Sequence, residues 1–261
     1  MTAGGGTTEA WLPGRRPRGG TALRLITLPY AGGDTAIFAP WAEELPYEIE
    51  LCPVQLPGRG RRAGEPAYAA IGPLVGALAG ALAEALPPAL DLPFALFGHS
   101  MGALVGFELA RELRRRGLPE PCHLLVSAHA APHLPRRYPP LSALPDDEFV
   151  AALHRRYGYV VPQDAGPLDE LMRLMIPTLR SDVMVTDHYV LAEEEPLACP
   201  ITAFGGLDDP TVTRDELAAW QHQTRGGCET RMLPGGHFYL DTDPRFLIRF
   251  IADRLRGARA A

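Results

Sequence analysis

Three short segments of this chain carry side chains whose types and order could perform nucleophilic acyl transfer. The first is Gly98-His99-Ser100-Met101-Gly102, a G-x-S-x-G pattern placed after the apolar run 94–99 and before the amphipathic run 101–116. A chain turning sharply from strand to helix lifts the central serine hydroxyl to the carboxyl edge of a sheet. Flanking glycines, having no Cβ, avoid collision with neighbouring main chain. A serine hydroxyl is a weak nucleophile and needs a general base within hydrogen-bond reach. Eight histidines compete for that role. His237 stands apart in Pro234-Gly235-Gly236-His237-Phe238, a loop after the last apparent strand and before the last helix. His123 and His129 flank a strand, His154 and His188 sit on helical stretches, His222 ends a polar helix, and His99 reads as a packing neighbour of the serine.

An acid is needed to hold the imidazole tautomer and to stabilise the imidazolium. Asp208 and Asp209, in Gly205-Gly206-Leu207-Asp208-Asp209-Pro210 after the run 200–206, are both candidates. The segment Leu28-Pro29-Tyr30-Ala31-Gly32-Gly33 follows the first strand as a tight glycine turn, with Asp34 placed to cap the next helix. The backbone N–H groups of Ala31 and Met101 are the candidate oxyanion hole, since one donor follows the nucleophile and the other comes from an early strand–helix loop.

These loops must be held by a frame. Short apolar runs at 23–28, 50–56, 94–99, 123–129, 200–206 and 228–233 alternate with helical patterns near 36–45, 70–86, 101–116, 213–224 and 244–256. Such alternation predicts an α/β fold, with a mostly parallel central sheet covered by helices on both faces. Residues 133–195 break the rhythm. A helix is expected over 145–158, and another over 167–191 with a break near Pro177. This helical insertion reads as a lid over the site, the alternative being helices packed on the sheet's flank. The expected organisation is a flexible tail at 1–20, a core of 21–132 and 196–261, and the lid at 133–195. Met172, Met175 and Met184 fall in the lid and are candidates for lining an acyl chamber, with helix packing as the other role open to them.

Composition excludes several classes. All 25 basic residues are Arg, a skew that says little about chemistry, and the net charge of −6 over 261 residues does not suit a nucleic-acid protein. No run of about 18 uncharged apolar residues suggests a membrane span. The first twenty residues lack the apolar stretch of a secretory signal, so a cytoplasmic location is expected. The four cysteines are far apart and read as free thiols. No His/Cys cluster supports a metal. Gly58-Arg59-Gly60-Arg61-Arg62-Ala63 mimics a dinucleotide fingerprint, but Gly64-Glu65-Pro66 follows it instead of a helix.

The ordered set PYAGGD, LPGRGRR, GHSMGA, LPDDEF, LRSD, GGLDDP and GGHFYL resembles the type II thioesterases of polyketide and nonribosomal peptide assembly lines, members of the α/β-hydrolase fold. The match runs from about Leu25 to the final helix. Gly206-x-x-Asp209-x-x-Val212 is similar to the acid loop of that fold and selects Asp209 over Asp208. The resemblance implies a stand-alone editing enzyme that hydrolyses acyl groups from the phosphopantetheine arm of carrier proteins. It implies Ser100, Asp209 and His237 as the triad, a monomer, and no cofactor beyond the phosphopantetheine that the substrate carries. Carrier proteins are commonly acidic, so Arg59, Arg61 and Arg62 are a candidate docking cluster. An acyltransferase or chain-releasing cyclase with the same triad, and a non-catalytic carrier-binding protein, are the alternatives.

Overall fold

The computed structural model describes residues 8–13, 15, 19–85, 92–158 and 170–257. Among them, six strands form one parallel sheet: β1 (Leu23–Leu28), β2 (Ile49–Pro53), β3 (Phe94–His99), β4 (His123–Ser127), β5 (Ile201–Gly206) and β6 (Cys228–Leu233), in the order β2-β1-β3-β4-β5-β6. The α-helices are α1 (Thr8–Trp11), α2 (Trp41–Glu44), α3 (Ile71–Ala85), α4 (Met101–Arg115), α5 (Asp146–Tyr157), α6 (Glu170–Asp187), α7 (Arg214–Ala218), α8 (Tyr239–Thr242) and α9 (Arg245–Gly257). None of them is long and apolar enough to cross a membrane.

Strands β1 and β3 are buried along their whole length, as parallel strands covered on both faces must be. One face packs Leu74, Leu78, Val105 and Leu109 of α3 and α4. The other packs Phe38, Trp41, Ile248 and Ile251 from the segment after β1 and from α9. The strand order places the topological switch between β1 and β3. From β1 the chain steps outward to β2, and from β3 it steps the other way to β4. The connections therefore diverge and leave a crevice at the carboxyl ends of the two neighbouring strands, where open α/β sheets bind ligands. Both the Tyr30–Gly33 turn and Ser100 lie in that crevice.

Two expectations are corrected here. Residues 8–13 lie within the stretch expected to be a flexible tail, yet Trp11 and Leu12 are buried. The Trp11 carbonyl accepts the Gln55 N–H at 2.8 Å, and the Arg62 guanidinium stacks on the Trp11 ring. No break occurs at Pro177, since α6 runs through it from Glu170 to Asp187. The exposed Pro177 costs the helix one hydrogen bond. The continuous apolar stripe Ile176, Leu179 and Val183 on the packed face outweighs that loss.

The sheet also buries histidines in neutral form. His123, at the start of β4, meets Thr202 Oγ1 through Nε2 at 2.9 Å, and burial with the nearby Arg254 charge pushes it down to about 4. Burial, with the His237 charge adding to it, holds His99 well below its ordinary value. An unfolded histidine titrates near pH 6.5, so below that pH the unfolded chain takes up protons that the folded chain refuses. Stability conferred by these groups is complete above about pH 6.5 and declines as pH falls toward the folded values. Each contributes a slope of about 1.4 kcal/mol per pH unit. The melting temperature is expected to fall between pH 7 and pH 5, and less steeply in His123→Gln. Parallel melting curves for the two proteins would refute this assignment.

Candidate active site

Ser100 sits on a strained bend. Its φ of 53° and ψ of −117° lie where non-glycine residues are rare, and Ser127 O on the neighbouring strand holds its N–H at 2.7 Å. The flanking glycines are required by contact. A Cβ on Gly98 would lie 2.0 Å from Gly102 O, and one on Gly102 would lie 2.2 Å from Leu28 O. The bend therefore packs directly on the end of β1, which brings the glycine turn after that strand beside the serine.

His237 comes from the loop after β6, and Asp209 from the loop after β5. These loops are joined by the Asp208 N–H donating to Gly235 O at 2.9 Å. His237 Nε2 lies 3.0 Å from Ser100 Oγ, and His237 Nδ1 lies 2.8 Å from Asp209 Oδ2. Asp208 is exposed, whereas Asp209 and His237 are buried. Burial alone would push the Asp209 carboxyl up. Hydrogen bonds from His237 and from both Thr211 donors outweigh it and leave the group below its usual range. Thr211 is a participant that the residue types did not disclose. Its N–H and Oγ–H donate to Asp209 Oδ1 at 2.8 and 2.6 Å, and its Oγ lies 3.1 Å from His237 Nδ1. Only its place two residues after the acid could have signalled it.

Two spaces meet at Ser100. One is a cleft of ≈ 520 Å³ whose polar lining includes His133, Arg136, Arg156 and Glu193. The other, of ≈ 40 Å³, is bounded by Ala31 and Met101 and walled by Leu153, Leu179, Val183 and Phe238. Leu153 and Tyr157 of α5 and Leu179, Val183 and Thr186 of α6 thus come from the segment read as a lid. The Tyr157 ring stands 4.8 Å from that of His237. A hydroxyl, an imidazole and a carboxylate in this linear arrangement can form and break acyl bonds.

A family model described as "Thioesterase domain" matches residues 23–255. The chain belongs to that family. This thioesterase is 39% identical over 248 residues, 94% of each chain, to the gramicidin S biosynthesis protein GrsT of Aneurinibacillus migulanus. It is also similar to the solved RedJ thioesterase from the prodiginine biosynthetic pathway in Streptomyces coelicolor, with a TM-score of 0.80, 38% identity and 91% of each chain covered. The type II thioesterase BorB from the borrelidin biosynthetic cluster superimposes with a TM-score of 0.80 at 36% identity, covering 95% of this chain and 97% of BorB. The mostly parallel sheet with helices on both faces is thus the α/β-hydrolase architecture of these thioesterases.

Other expected site residues stand elsewhere in the thioesterase. Met172, Met175 and Met184 do not wall either space at Ser100. Met172 is buried in the small core between α5 and α6 with Phe149 and Ile176. It lies on the same helical stripe as Leu179 but two turns away, about 10 Å along the axis. Met175 and Met184 are half-buried. The arginine cluster is not a docking face either. Arg59 and Arg62 are buried, and only Arg61 of the three is exposed. Arg62 pairs with Glu65 and donates to Gln55 O, while Arg59 pairs with Asp182 of α6. A guanidinium fork is spent on carboxylates and main-chain carbonyls within the fold, so the charge does not reach the surface.

Proposed function

We propose that this thioesterase removes short acyl groups from the phosphopantetheine arm of carrier proteins, as an editing enzyme of an assembly line. The reading rests on the Ser100–His237–Asp209 chain of hydrogen bonds opening onto two spaces of different size and polarity. The polar cleft suits the amide-bearing pantetheine arm. The apolar chamber beside Ala31 and Met101 suits an acyl tail, and its ≈ 40 Å³ has room for roughly three water-sized groups. The names of GrsT, RedJ and BorB place those relatives in biosynthetic pathways, which agrees with a carrier-bound substrate. The enzyme would act as a cytoplasmic monomer with no cofactor of its own.

His237 Nε2 takes the Ser100 proton as Oγ attacks the thioester carbonyl. The developing oxyanion accepts hydrogen bonds from the Ala31 and Met101 N–H groups. His237 then gives the proton to the departing sulfur, leaving an acyl-serine and a free thiol. Water, deprotonated by the same imidazole, attacks the acyl-serine; the imidazolium returns that proton to Ser100 Oγ as the acyl–oxygen bond breaks, and the acid leaves. Asp209 holds the Nδ1–H tautomer, and Thr211 holds Asp209. The Tyr157 ring packs against the imidazole and restricts its tilt.

A panel of acyl chains on one carrier protein, with mass detection of the products, tests the reading. Free acid is expected, released faster from two- to four-carbon acyl groups than from eight-carbon ones. Ester, amide or ring products would point to acyl transfer instead. Leu179→Ala, which widens the chamber, is expected to raise the rate on longer chains relative to acetyl by about tenfold, the scale of one to two methylenes in an apolar pocket. An unchanged chain-length profile would place the acyl tail outside this chamber.

A further inference from the structure

The lid helix grips the glycine turn directly. Tyr30 to Gly33 form a tight turn, closed by the Gly33 N–H donating to Tyr30 O at 2.9 Å. Gly32 has φ +80°, as the third residue of a type II turn requires. In that geometry the Gly32 N–H points away from the turn's own hydrogen bond, and here it donates to Asp182 Oδ2 of α6 at 2.7 Å. Asp182 is 2% exposed and is held in turn by Arg59, whose Nη1 meets Oδ2 and whose Nη2 donates to Oδ1 at 2.7 Å. Arg59 Nη1 also donates to Gly33 O at 3.3 Å, and its remaining donors go to Pro57 O. The ion pair thus holds both an N–H and a C=O of the turn that carries Ala31. A second tie, Thr178 Oγ donating to Gly58 O at 3.0 Å, fixes the Arg59 loop to the same helix.

Resting on the reading that Ala31 supplies an oxyanion donor, we propose that Asp182, clamped by Arg59, is a positioning residue for the oxyanion hole and makes its assembly depend on the seating of the lid helix. Asp182 touches no reacting atom. It acts through the Gly32 amide, one peptide from the Ala31 donor. Leu179 and Val183, on either side of it in α6, line the acyl chamber. One helix therefore shapes the chamber wall and sets the oxyanion turn. A displacement of this turn by about 1 Å is enough to cost on the order of 10²-fold in rate. An N–H held by a charged carboxylate resists that displacement more than one held by a neutral acceptor.

The discriminating variant is the double substitution Arg59→Met with Asp182→Leu. It removes both charges together and fills their space, whereas Asp182→Ala alone strands a buried guanidinium. Three measurements are made on a small acyl-pantetheine thioester and its analogues. These are kcat and KM, the affinity of a trifluoromethyl ketone that forms a tetrahedral adduct with Ser100, and the affinity of an unreactive amide analogue. The expected result is a kcat about 100-fold lower with KM within threefold. Affinity for the ketone should fall in step with kcat, and affinity for the amide should not change. A folded double variant with wild-type kcat and ketone affinity would overturn the proposal. In the wild-type protein, the Gly32 amide should exchange with solvent more slowly than the neighbouring amides of the loop, and rapid exchange there would overturn it equally without any variant. If the wild-type enzyme failed to hydrolyse the thioester at all, the functional reading would fall instead.

Discussion

Ser100→Ala is expected to lower kcat for an acyl-carrier thioester by about 10⁶-fold, the scale seen when the nucleophile of a serine triad is removed. The effect is large because no other group can take its place. Among the described residues, Oγ is the only side-chain oxygen within hydrogen-bond reach of His237 Nε2, and the strained bend holds it there. Alanine inherits the strain of φ 53° but not the hydroxyl, so stability should change little while turnover collapses. Mass spectrometry of the wild-type enzyme mixed rapidly with substrate should show an acyl adduct on Ser100 and none on the variant. Retained hydrolysis, or an adduct elsewhere, would end the nucleophile assignment.

Asp209→Asn is expected to cost about 10⁴-fold in kcat. The asparagine fits the space and keeps one acceptor for the Thr211 donors, so the fold should survive. An amide NH₂ facing His237, however, favours the tautomer with the proton on Nε2, and an imidazole in that state cannot accept the serine proton. The rate should recover in part as pH rises far enough for hydroxide to replace the base. Asp208→Asn serves as the control, since that side chain is exposed, and its rate should remain within threefold of wild type. A mild effect of Asp209→Asn beside a severe one of Asp208→Asn would reverse the assignment.

The frame was legible because buried parallel strands are short apolar runs bounded by turns. The runs 23–28, 94–99 and 228–233 coincide with β1, β3 and β6. Strand β4 ends at Ser127, short of 129, because Ala128 takes φ 52° and turns the chain out of the sheet. The expected helix at 213–224 is a short α7 followed by a 3₁₀ turn from Ala219 to Gln223. Ser100 and His237 were legible from local context, a bend between strand and helix and a glycine-rich loop late in the chain. Asp209 needed resemblance to set it apart from Asp208, since two adjacent aspartates share one local pattern. What separates them, burial and the Thr211 donors, arises only when the β5 and β6 loops close on each other.

The illegible part was the pairing of distant residues. Arg59 and Asp182 are 123 positions apart, and neither has a local pattern that announces the other. An arginine-rich loop looks the same in sequence whether it faces solvent or a buried carboxylate. The methionines of 133–195 stood open between chamber and helix packing for a related reason. Helical spacing identifies which stripe is apolar, but not which turn of that stripe reaches the serine.

The 133–195 segment leaves the sheet after β4 and returns to its neighbour β5, so its ends enter and exit at adjacent strands. An exchange of that whole segment between relatives is therefore topologically simple and leaves the nucleophile, base and acid on untouched chain. The contact between Asp182 and Gly32 adds a compatibility rule to such exchanges. A transplanted segment must bring a carboxylate to the same depth, opposite a guanidinium contributed by the recipient. Under the roles proposed for the chamber and for Asp182, selectivity and turnover are thereby inherited together.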